Sequence, residues 1–433
     1  MSPGSTISIG VIPDADTDRA FFPLNIGVHS LIQRAVLRTS SGRVLNDTTE
    51  FPWLSAQKSM NISNEVNKNR ELYTTGRSCC YEFNYDSKSA TETKSYGIDN
   101  GKTYNGSTGL TSNNFSVISK SRLGLSPTYQ VSLASLFPFL QAGNQLPLFM
   151  FGDDRIQIEL YFTPPTTGSR VVVSKGDTAH ADHSFMIDQN SLQLISDHIF
   201  YPGAMEEWAS KNRDLTFGYV DYQTSRHNLT TTTATNNTRN VGGAGRLVTK
   251  AFSGVFGVTD DETSIIPADQ LFSSYEARAN RRNKTNEDIH GNSSTNLFYN
   301  ERFLFPTSVK NSARLYHNLK DAEGKIQYST RSLYSNEGGR TQQTAGACVV
   351  APNVARVHFE GRTQSDNLPG TQFFQGFRLN RGERVGTKGI DLTCDYSDLR
   401  RTEDKVLDCV QISWIEVLRQ ARLKDGHMEV FFA

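Results

Sequence analysis

The chain has 433 residues, which at roughly 150 residues per domain predicts two or three domains, and its 45 Lys and Arg residues balance 45 Asp and Glu residues. The lack of net charge argues against a protein whose overall field draws it to nucleic acid or anionic lipid. No apolar run approaches the ~18 residues of a transmembrane helix, and the first residues lack the basic start and apolar run of a secretory signal, so we expect a protein that is not secreted.

The N-terminal part of the chain is predicted to contain an arm followed by short strands. Residues 1–23 have no hydrophobic periodicity, which predicts an unpacked N-terminal arm. Ordered structure is expected from Asn25–Leu45, where apolar positions lead into the turn sequence TSSGR. Ser78–Asp86 alternates as a strand, and residues 86–114 are polar and rich in Gly and Asn, as in a long loop. A strand start at Tyr129, Val131 and Leu133, a short turn or helix around Ser135–Leu140 and another strand before Phe151 are predicted next.

The segment that closes the first part of the chain alternates strictly between apolar and polar residues. The four apolar residues of Ile156–Phe162 share one face, the pattern of a strand with one buried side. Pro164-Pro165 then ends the strand, because proline cannot donate to a ladder. The last segment, Met428–Phe432, is similar, and both follow turns with Gly and Asp, at Gly152–Asp154 and Asp425-Gly426. Two similar units that each end in such a strand are therefore predicted, with the double proline at the seam.

After the seam the pattern predicts a connector and a second set of strands. Residues 166–184 are the connector, in which Val171–Val173 is expected to pair briefly. A short helix is predicted within Pro202–Leu215, because Glu207 stands four residues before Lys211. Strands or turns are predicted at 183–203, 215–223, 297–305, 313–319, 326–334, 347–361, 373–380, 389–396, 405–418 and 428–432, with a polar loop at 227–246 and an inserted helix at 267–282.

The predicted fold class is all-β, with two sandwich-like units, long loop insertions and a few short helices. Strands are many and short, and the 25 Phe and 16 Tyr residues suit half-buried sheet surfaces. Loops of about twenty residues recur, which is unusual in an enzyme-like domain unless the loops have a task of their own.

Three places in the sequence that contain histidine are candidate metal sites. His180, Asp182 and His183 lie within four residues, but no fourth ligand can be named and the tract lies in the connector, so a solvated linker is preferred. The segment around His358 lacks the His-x-His pair of a cupin site. His29 lies among apolar residues and is interpreted as a core or interface histidine.

No catalytic, cofactor-binding or metal-binding residue is predicted, and we expect a protein that is not an enzyme and needs no cofactor. The pairs Asp153-Asp154 and Glu206-Glu207 are interpreted as turn and helix-surface residues, although an acid/base pair of a glycosidase stays open. The glycine-rich stretch Val241–Arg246 lacks the features of a P-loop. The cysteines at 79, 80, 348, 394 and 409 form no CxxC pair, as in a chain made in a reducing cytosol or nucleus.

The layout of the chain resembles the double jelly-roll major capsid proteins of polinton-like viruses and virophages. The first unit opens with NIGVHSLIQRAVLRTSSGRVL and closes with LASLFPFLQAGNQLPLFMFGDDRIQIELYFTPP, and the chain ends with RQARLKDGHMEVFFA. The resemblance is firmest over about 133–165 and at the C-terminus, and weakest through the insertions of 222–300. It implies two tandem jelly-roll β-sandwiches, at 24–165 and 185–433.

The resemblance also implies a function and partners. Three chains would form a pseudo-hexagonal capsomer, and capsomers would tile an icosahedral shell around a double-stranded DNA genome. The implied partners are other copies of the chain (a homotrimer and neighbouring capsomers) and penton and minor or cement capsid proteins, without sequence-specific nucleic-acid binding. The chain would be found in the virion after assembly in the host cytoplasm or nucleus, with the arm 1–23 along the inner surface.

Two alternatives to this function remain open at the level of sequence. A two-domain β-sandwich enzyme or lectin acting on polysaccharide would use exposed aromatic residues such as Trp53, Trp208 or Trp414 to stack on sugars. Trp414, however, shares a strand face with Val410 and Ile412, which predicts a core position. A vertex protein of the same viruses would resemble a single jelly roll, and the length of this chain argues against it.

Overall fold

The computed structural model describes a little over half of the chain, and every structural statement below concerns that part. The predictions for Ser78–Asp86, residues 86–114, Pro164-Pro165, the helix at 267–282 and the strand at 326–334 lie outside the described residues. The described ranges are 5–13, 18–23, 26–59, 74–75, 115–119, 128–141, 146–163, 172–175, 178–179, 185–196, 202–229, 237–257, 294–309, 312–323, 341–344, 347–350, 374–379, 384–395, 400–402, 405–406 and 409–432.

The described residues form mostly strands, with few and short helices. The strands are β1 Thr6–Pro13, β2 Asp18–Pro23, β3 Ile32–Thr39, β4 Val44–Thr49, β5 Phe115–Ser119, β6 Thr128–Ser132, β7 Ile156–Phe162, β8 Val172–Lys175, β9 Thr178–Ala179, β10 Phe185–Ile195, β11 Asp214–Leu229, β12 Asn237–Gly242, β13 Val248–Gly257, β14 Ser294–Tyr299, β15 Arg302–Phe303, β16 Thr341–Thr344, β17 Ala347–Val350, β18 Phe374–Arg378, β19 Ile390–Asp395, β20 Arg400–Thr402, β21 Lys405–Val406, β22 Cys409–Lys424 and β23 His427–Phe432. The α-helices are α1 Phe51–Ser59, α2 Leu133–Leu136, α3 Pro138–Gln141, α4 Pro202–Lys211 and α5 Ser312–Glu323, and 3-10 turns lie at Gly27–Leu31 and Leu148–Met150.

All the described ladders are antiparallel, which confirms the all-β prediction. Strands β1 to β10 form sheets of order β10-β1-β6, β4-β3-β7 and β5-β2-β8-β9. Strands β11 to β23 form one sheet of order β11-β22-β13-β18, with β23 also paired to β22, and another of order β12-β19-β14-β15. The pairs β16–β17 and β20–β21 are separate two-stranded sheets.

The prediction of an unpacked arm at residues 1–23 is wrong for β1. This strand lies between β10 and β6 in its sheet, and Ile7 and Ile9 are buried. Its contact with β10 is close, since the N–H of Gly10 donates to Ser191 Oγ at 2.6 Å and a Cβ at this glycine would lie 2.7 Å from the same atom. Two flanking strands satisfy its backbone groups, so β1 needs no strong periodicity of its own.

Strand β10 belongs, by its hydrogen bonds, to the sheet of β1. The sequence had assigned residues 185–195 to the second unit, yet β10 pairs with β1 from Thr6↔Ile195 to Pro13↔Phe185. The boundaries 24–165, 166–184 and 185–433 stay a prediction. The pairing with β1 indicates that β10 belongs with the first unit and not with the second.

Strand β7 has the predicted alternation. Its four apolar residues pack against one apolar cluster, whereas Tyr161 on the opposite face is exposed. The strand ends at Phe162, and the N–H of Thr163 then donates to the carbonyl of Leu31 at 2.7 Å. The predicted helix within Pro202–Leu215 is also confirmed, as α4.

Three predictions of local structure are wrong. Residues 313–319 are helical, because Leu319 and Ala322 of α5 lie on one helical face and pack closely on Gly376 of β18. The expected strand before Phe151 is a 3-10 turn, closed by the N–H of Met150 on the carbonyl of Pro147. Part of the predicted loop 227–246 is β12, whose polar residues pair across the ladder with β19, as Thr238 does with Thr393.

Strands β11 and β22 form a continuous ribbon that reaches three apolar clusters. The two 16-residue strands pair from Asp214↔Lys424 to Leu229↔Cys409. The first core combines β1, β3, β6, α2 and α3 with one end of the ribbon, through side chains such as Phe217 and Leu423. The second core takes Ile415 and Val417 from the same face of the ribbon. The third core takes Val410, Ile412 and Trp414 from the opposite face.

A buried ion pair separates the first and second cores on their shared face of the ribbon. Arg419 Nη1 lies 2.5 Å from Asp221 Oδ2, and both side chains are mostly buried. Asn46 of β4 donates to the other carboxylate oxygen at 3.0 Å and accepts the N–H of Phe139 at 2.8 Å. We call Asn46, Asp221 and Arg419 the polar joint. Burial raises the pKa of Asp221, and the nearby charge of Arg419 and the hydrogen bond from Asn46 oppose that rise only in part.

The polar joint gives a prediction for Arg419→Met. This change leaves the Asp221 carboxylate buried without its cation, so the free energy of unfolding should fall by about 3–5 kcal/mol at neutral pH, measured by urea denaturation. Because the folded-state pKa of Asp221 is raised, this carboxyl takes up a proton at a higher pH in the folded protein than in the unfolded chain. The stability lost in Arg419→Met should therefore shrink as the pH falls and Asp221 becomes protonated.

The matched control is Arg422→Met on the same ribbon. Arg422 pairs bidentately with Asp214, but both side chains are well exposed, so about 0–1 kcal/mol should be lost. Equal losses for the two variants, or a loss at Arg419 that is the same at every pH, would contradict this role of the polar joint.

Candidate functional site

Of the candidate metal residues, only His29 lies in the part of the chain that the structure describes. Within it there is no group of three or more His, Cys, Asp or Glu residues placed to hold a metal ion. His180, Asp182, His183 and His358 lie outside the described residues. His29 is buried, with Nδ1 2.6 Å from Ser55 Oγ and its ring edge-on to Phe51, which agrees with its interpretation as a core histidine.

The tryptophans considered as sugar-stacking residues differ in exposure. Trp414 is 0% exposed and lies with Val410 and Ile412 in the third core, as predicted. Trp53, on α1, is 2% exposed in the same core. Only Trp208 of the three is exposed, at 42%, and its ring lies edge-on to Phe149 at 6.0 Å. Two of the three rings are therefore structural.

The carboxylate pairs considered in the sequence also have structural contacts. Glu207 lies on the exposed surface of α4, where Lys211 Nζ is 2.5 Å from its carboxylate. Asp153 and Asp154 lie in the turn before β7, as predicted, where Asp153 is exposed and Asp154 is buried. The Asp154 carboxylate accepts the N–H of Ser41 at 2.9 Å and the N–H of Met428 at 3.3 Å.

Hydrogen bonds outweigh burial at Asp154. Burial raises the pKa of this carboxyl, but the N–H groups of Ser41 and Met428 and the Ser41 hydroxyl stabilise its ionised form, and the resulting pKa lies below the ordinary value. Asp154 thus ties the turn after β3 to the start of β23.

The two turns that the sequence identified as similar touch each other. The N–H of Gly152 donates to the carbonyl of Gly426 at 3.2 Å. Gly426 has a positive φ of 82°, and a Cβ at this position would lie 2.9 Å from the Gly152 nitrogen. Glycine is therefore required at position 426 by both conformation and space.

Large apolar side chains are exposed at several separate places. Leu192, Leu194 and Ile195 lie on β10, which is the edge of its sheet among the described strands. The other exposed side chains are Leu148, Phe149, Tyr161, Trp208, Phe303, Phe431 and Phe432. Exposed apolar side chains that lie together, as Phe149 and Trp208 do, mark interaction surfaces more often than scattered single residues do.

Helix α4 lies between β10 and β11 in the chain and is exposed on the surface. None of its described side chains is buried, although its ten residues are fewer than an isolated helix needs to be stable in water. Its exposed Trp208 meets the exposed Phe149. Among the described residues, no helix is long and apolar enough to cross a membrane.

Sequence patterns gave little sign of the long-range contacts. The polar joint brings Asn46 to Asp221 across 175 positions, and no local motif marks either residue. The contact between the turns at Gly152 and Gly426 was partly visible, since both turns precede similar strands. The burial of Asp154 had no signal apart from its place in that turn.

Asp154 gives a prediction of pH dependence. Its lowered folded-state pKa means that its contribution to stability is complete above the unfolded pKa of about 3.9 and is lost as pH falls through the folded pKa. Asp154→Asn should therefore lower the free energy of unfolding by about 1–3 kcal/mol at pH 7, and the difference from the natural chain should shrink below about pH 4. Exposed Asp153→Asn is the control, and a pH-independent difference at Asp154 would contradict the assignment.

Comparison with known proteins gives a likeness only at the level of solved structures. No family model and no curated protein matches the sequence. The solved structures that resemble the chain include the major capsid protein of mavirus, at 9% identity and a TM-score of 0.45 over 99% of this chain and 83% of that one. A structure of the Sputnik virophage gives 10% identity and a TM-score of 0.41 over 100% of this chain and 82% of that one.

A chain of the PBCV-1 virus capsid gives 11% identity and a TM-score of 0.42, over 99% of this chain and 90% of that one. Two of the three are capsid structures by description, the third is described as a structure of a virophage, and each likeness extends over nearly the whole of this chain.

Proposed function

We propose that the chain is a major capsid protein of the double jelly-roll type. Three copies would form a pseudo-hexagonal capsomer, and capsomers would tile an icosahedral shell around a double-stranded DNA genome. The observation that carries the proposal is the ribbon of β11 and β22, which fixes two sets of antiparallel sheets relative to each other. The sequence resemblance to polinton-like virus and virophage capsid proteins led to the same proposal independently of these contacts.

A rigid connection between two β units suits a shell building block. Phe139 of the first core packs edge-on against Tyr219 of the ribbon at 4.9 Å and lies 5.7 Å from Phe217. The polar joint and the contact of the Gly152 and Gly426 turns lie on either side of this aromatic cluster in the ribbon register. A hinged pair of domains would be expected to have a smaller and more polar interface.

The exposed apolar side chains support self-association as the main activity. A closed ring of identical subunits needs two different surfaces on each copy, because its interfaces are heterologous. The edge of β10, the Phe149–Trp208 pair and Phe303 lie on different elements, and all are exposed. We therefore propose other copies of the chain as the principal partner, with penton and cement proteins as further partners, and a virion location.

The burial of two candidate sugar-stacking rings and of two carboxylates supports a structural role without catalysis. The aromatic residues Trp53 and Trp414, which a sugar-active enzyme would expose, are buried in the third core. Asp154 and Asp221, the buried carboxylates analysed above, are engaged in contacts between distant segments. We propose that the first unit comprises β1 to β10 and the second β11 to β23, with α4 in between.

The proposal predicts the native mass of the purified protein. Light scattering should give a species near three times 48.3 kDa, and electron microscopy of the same fraction should show hexagonal particles. A stable monomer that forms no assemblies at any protein concentration or salt would contradict the capsid function and favour the two-domain enzyme or lectin.

Charge substitutions on the exposed surfaces test which of these surfaces form the contacts between copies. Leu194→Glu, Trp208→Glu and Phe303→Glu change exposed side chains, so each should alter the free energy of unfolding by no more than about 0.5 kcal/mol. At least one of the three should shift the native mass towards 48.3 kDa, since a charge at an apolar interface is costly to bury. Tyr161→Glu, on another sheet, is the comparison variant, and an unchanged mass for all three would contradict these surfaces as interfaces.

A further inference from the structure

The end of the ribbon that lies farthest from the third core presents a polar face with one aromatic ring. Here β11, β22 and β23 lie side by side, and every second residue points to the same side of the sheet. The cross-strand rows of this face are Asp214, Lys424 and His427, then Thr216, Arg422 and Glu429, then Gly218, Gln420 and Phe431.

An open groove of about 470 Å³ lies on this face, lined by Asp214, Thr216, Gln420, Arg422 and Phe431. Beside these residues, position 218 is glycine, and a Cβ there would meet nothing within 4 Å, so the space above it is open. The ring of Phe431 is 46% exposed and borders this space.

The charges of the groove are already matched within the protein. Arg422 Nε donates to Asp214 Oδ1 at 2.7 Å, and its Nη2 donates to the second carboxylate oxygen. Glu429 lies opposite Arg422 in the next strand, and Lys424 lies opposite Asp214. Two carboxylates therefore face two cations, which leaves no excess charge to attract a phosphate, a sulfate or nucleic acid.

The mixture of groups also differs from that of a protein–protein interface. Phe431 is the only apolar side chain among the nine positions, whereas the centres of such interfaces are depleted in charged residues. An exposed ring beside amide, hydroxyl and oriented ionic groups offers one stacking surface and several hydrogen-bonding groups. A neutral sugar ring has the complementary groups, with an apolar C–H face and hydroxyls at its rim.

We propose that this groove binds a neutral saccharide, with one pyranose ring over Phe431 and above Gly218, and its hydroxyls on Gln420, Thr216 and the Asp214–Arg422 pair. The proposal goes beyond the capsid function and does not depend on it. It would give the surface of the protein an affinity for uncharged glycans.

The test is saturation-transfer NMR and titration of the intact protein with a panel of saccharides. The panel contains glucose, galactose, mannose, N-acetylglucosamine and their β-1,4 dimers, together with sulfated and phosphorylated counterparts. At least one neutral sugar should bind saturably with a dissociation constant on the order of 1 mM, as for a small ligand on an open surface.

Two variants test the groove, one by removing a contact and the other by filling the space for the ligand. Phe431→Ala removes the stacking ring, and Gly218→Val fills the space above the strand where a Cβ meets no neighbour, so both should fold. Each should weaken binding about tenfold or more. Tyr161→Ala is the matched control, because Tyr161 has the same 46% exposure on a different sheet, and its binding should be unchanged.

Several outcomes would overturn the proposal. They are the absence of saturable binding to every neutral sugar in the panel, binding that is unchanged in both groove variants, and preferential binding of the sulfated or phosphorylated sugars. Native mass is measured on the same samples. A groove variant that loses sugar binding but keeps its native mass separates this site from assembly, whereas loss of mass without any sugar binding by the natural chain would assign the face to contacts between copies.

Discussion

The antiparallel ribbon of β11 and β22 is the constraint on which the rest of the described structure depends. A strand presents its side chains alternately to two sides, so a long ribbon can contribute to different cores along its length and on its two faces. In this chain the first and second cores share one face and the third core uses the other. A slip of one residue between β11 and β22 would turn Trp414 and Ile415 to the wrong sides, so all three cores fix the same register.

The polar joint adds specificity at the point where two apolar cores meet. A buried ion pair contributes little net stability relative to well-packed apolar residues, because both charges lose their hydration. Its geometric demand is strict, however, since Asp221 must meet Arg419 on the ribbon and Asn46 on β4. Apolar residues in these places would allow β4 to slide along the ribbon with a smaller loss of energy. We therefore attribute the alignment of the first core on the ribbon to the polar joint.

Local pattern predicted the strands better than it predicted their partners. The alternation in β7 and the apolar face around Trp414 were read correctly, because each depends on neighbours within a few positions. Helix α5 was predicted as strand because a short segment with several apolar residues fits both the helical and the strand periodicity. Its packing against Gly376, which distinguishes the two, is not visible in the local sequence. Strand β1 was missed because its order derives from β10 and β6, more than a hundred residues away. The groove on β11, β22 and β23 could not be predicted either, because its residues are brought together only by the register of three strands.

Exposed apolar residues and an unburied helix connect the fold to assembly. Packing of an apolar face usually supplies the stability that a ten-residue helix lacks by itself, yet α4 has no buried side chain among the described residues. Phe149, in the 3-10 turn Leu148–Met150, is likewise exposed. Both features are costly in a permanent monomer, because they leave apolar surface in water. They become favourable if another copy covers the Phe149–Trp208 pair. The rigid ribbon then has a role in assembly, because it holds such surfaces at fixed positions. Each added copy therefore meets the next one in the same geometry.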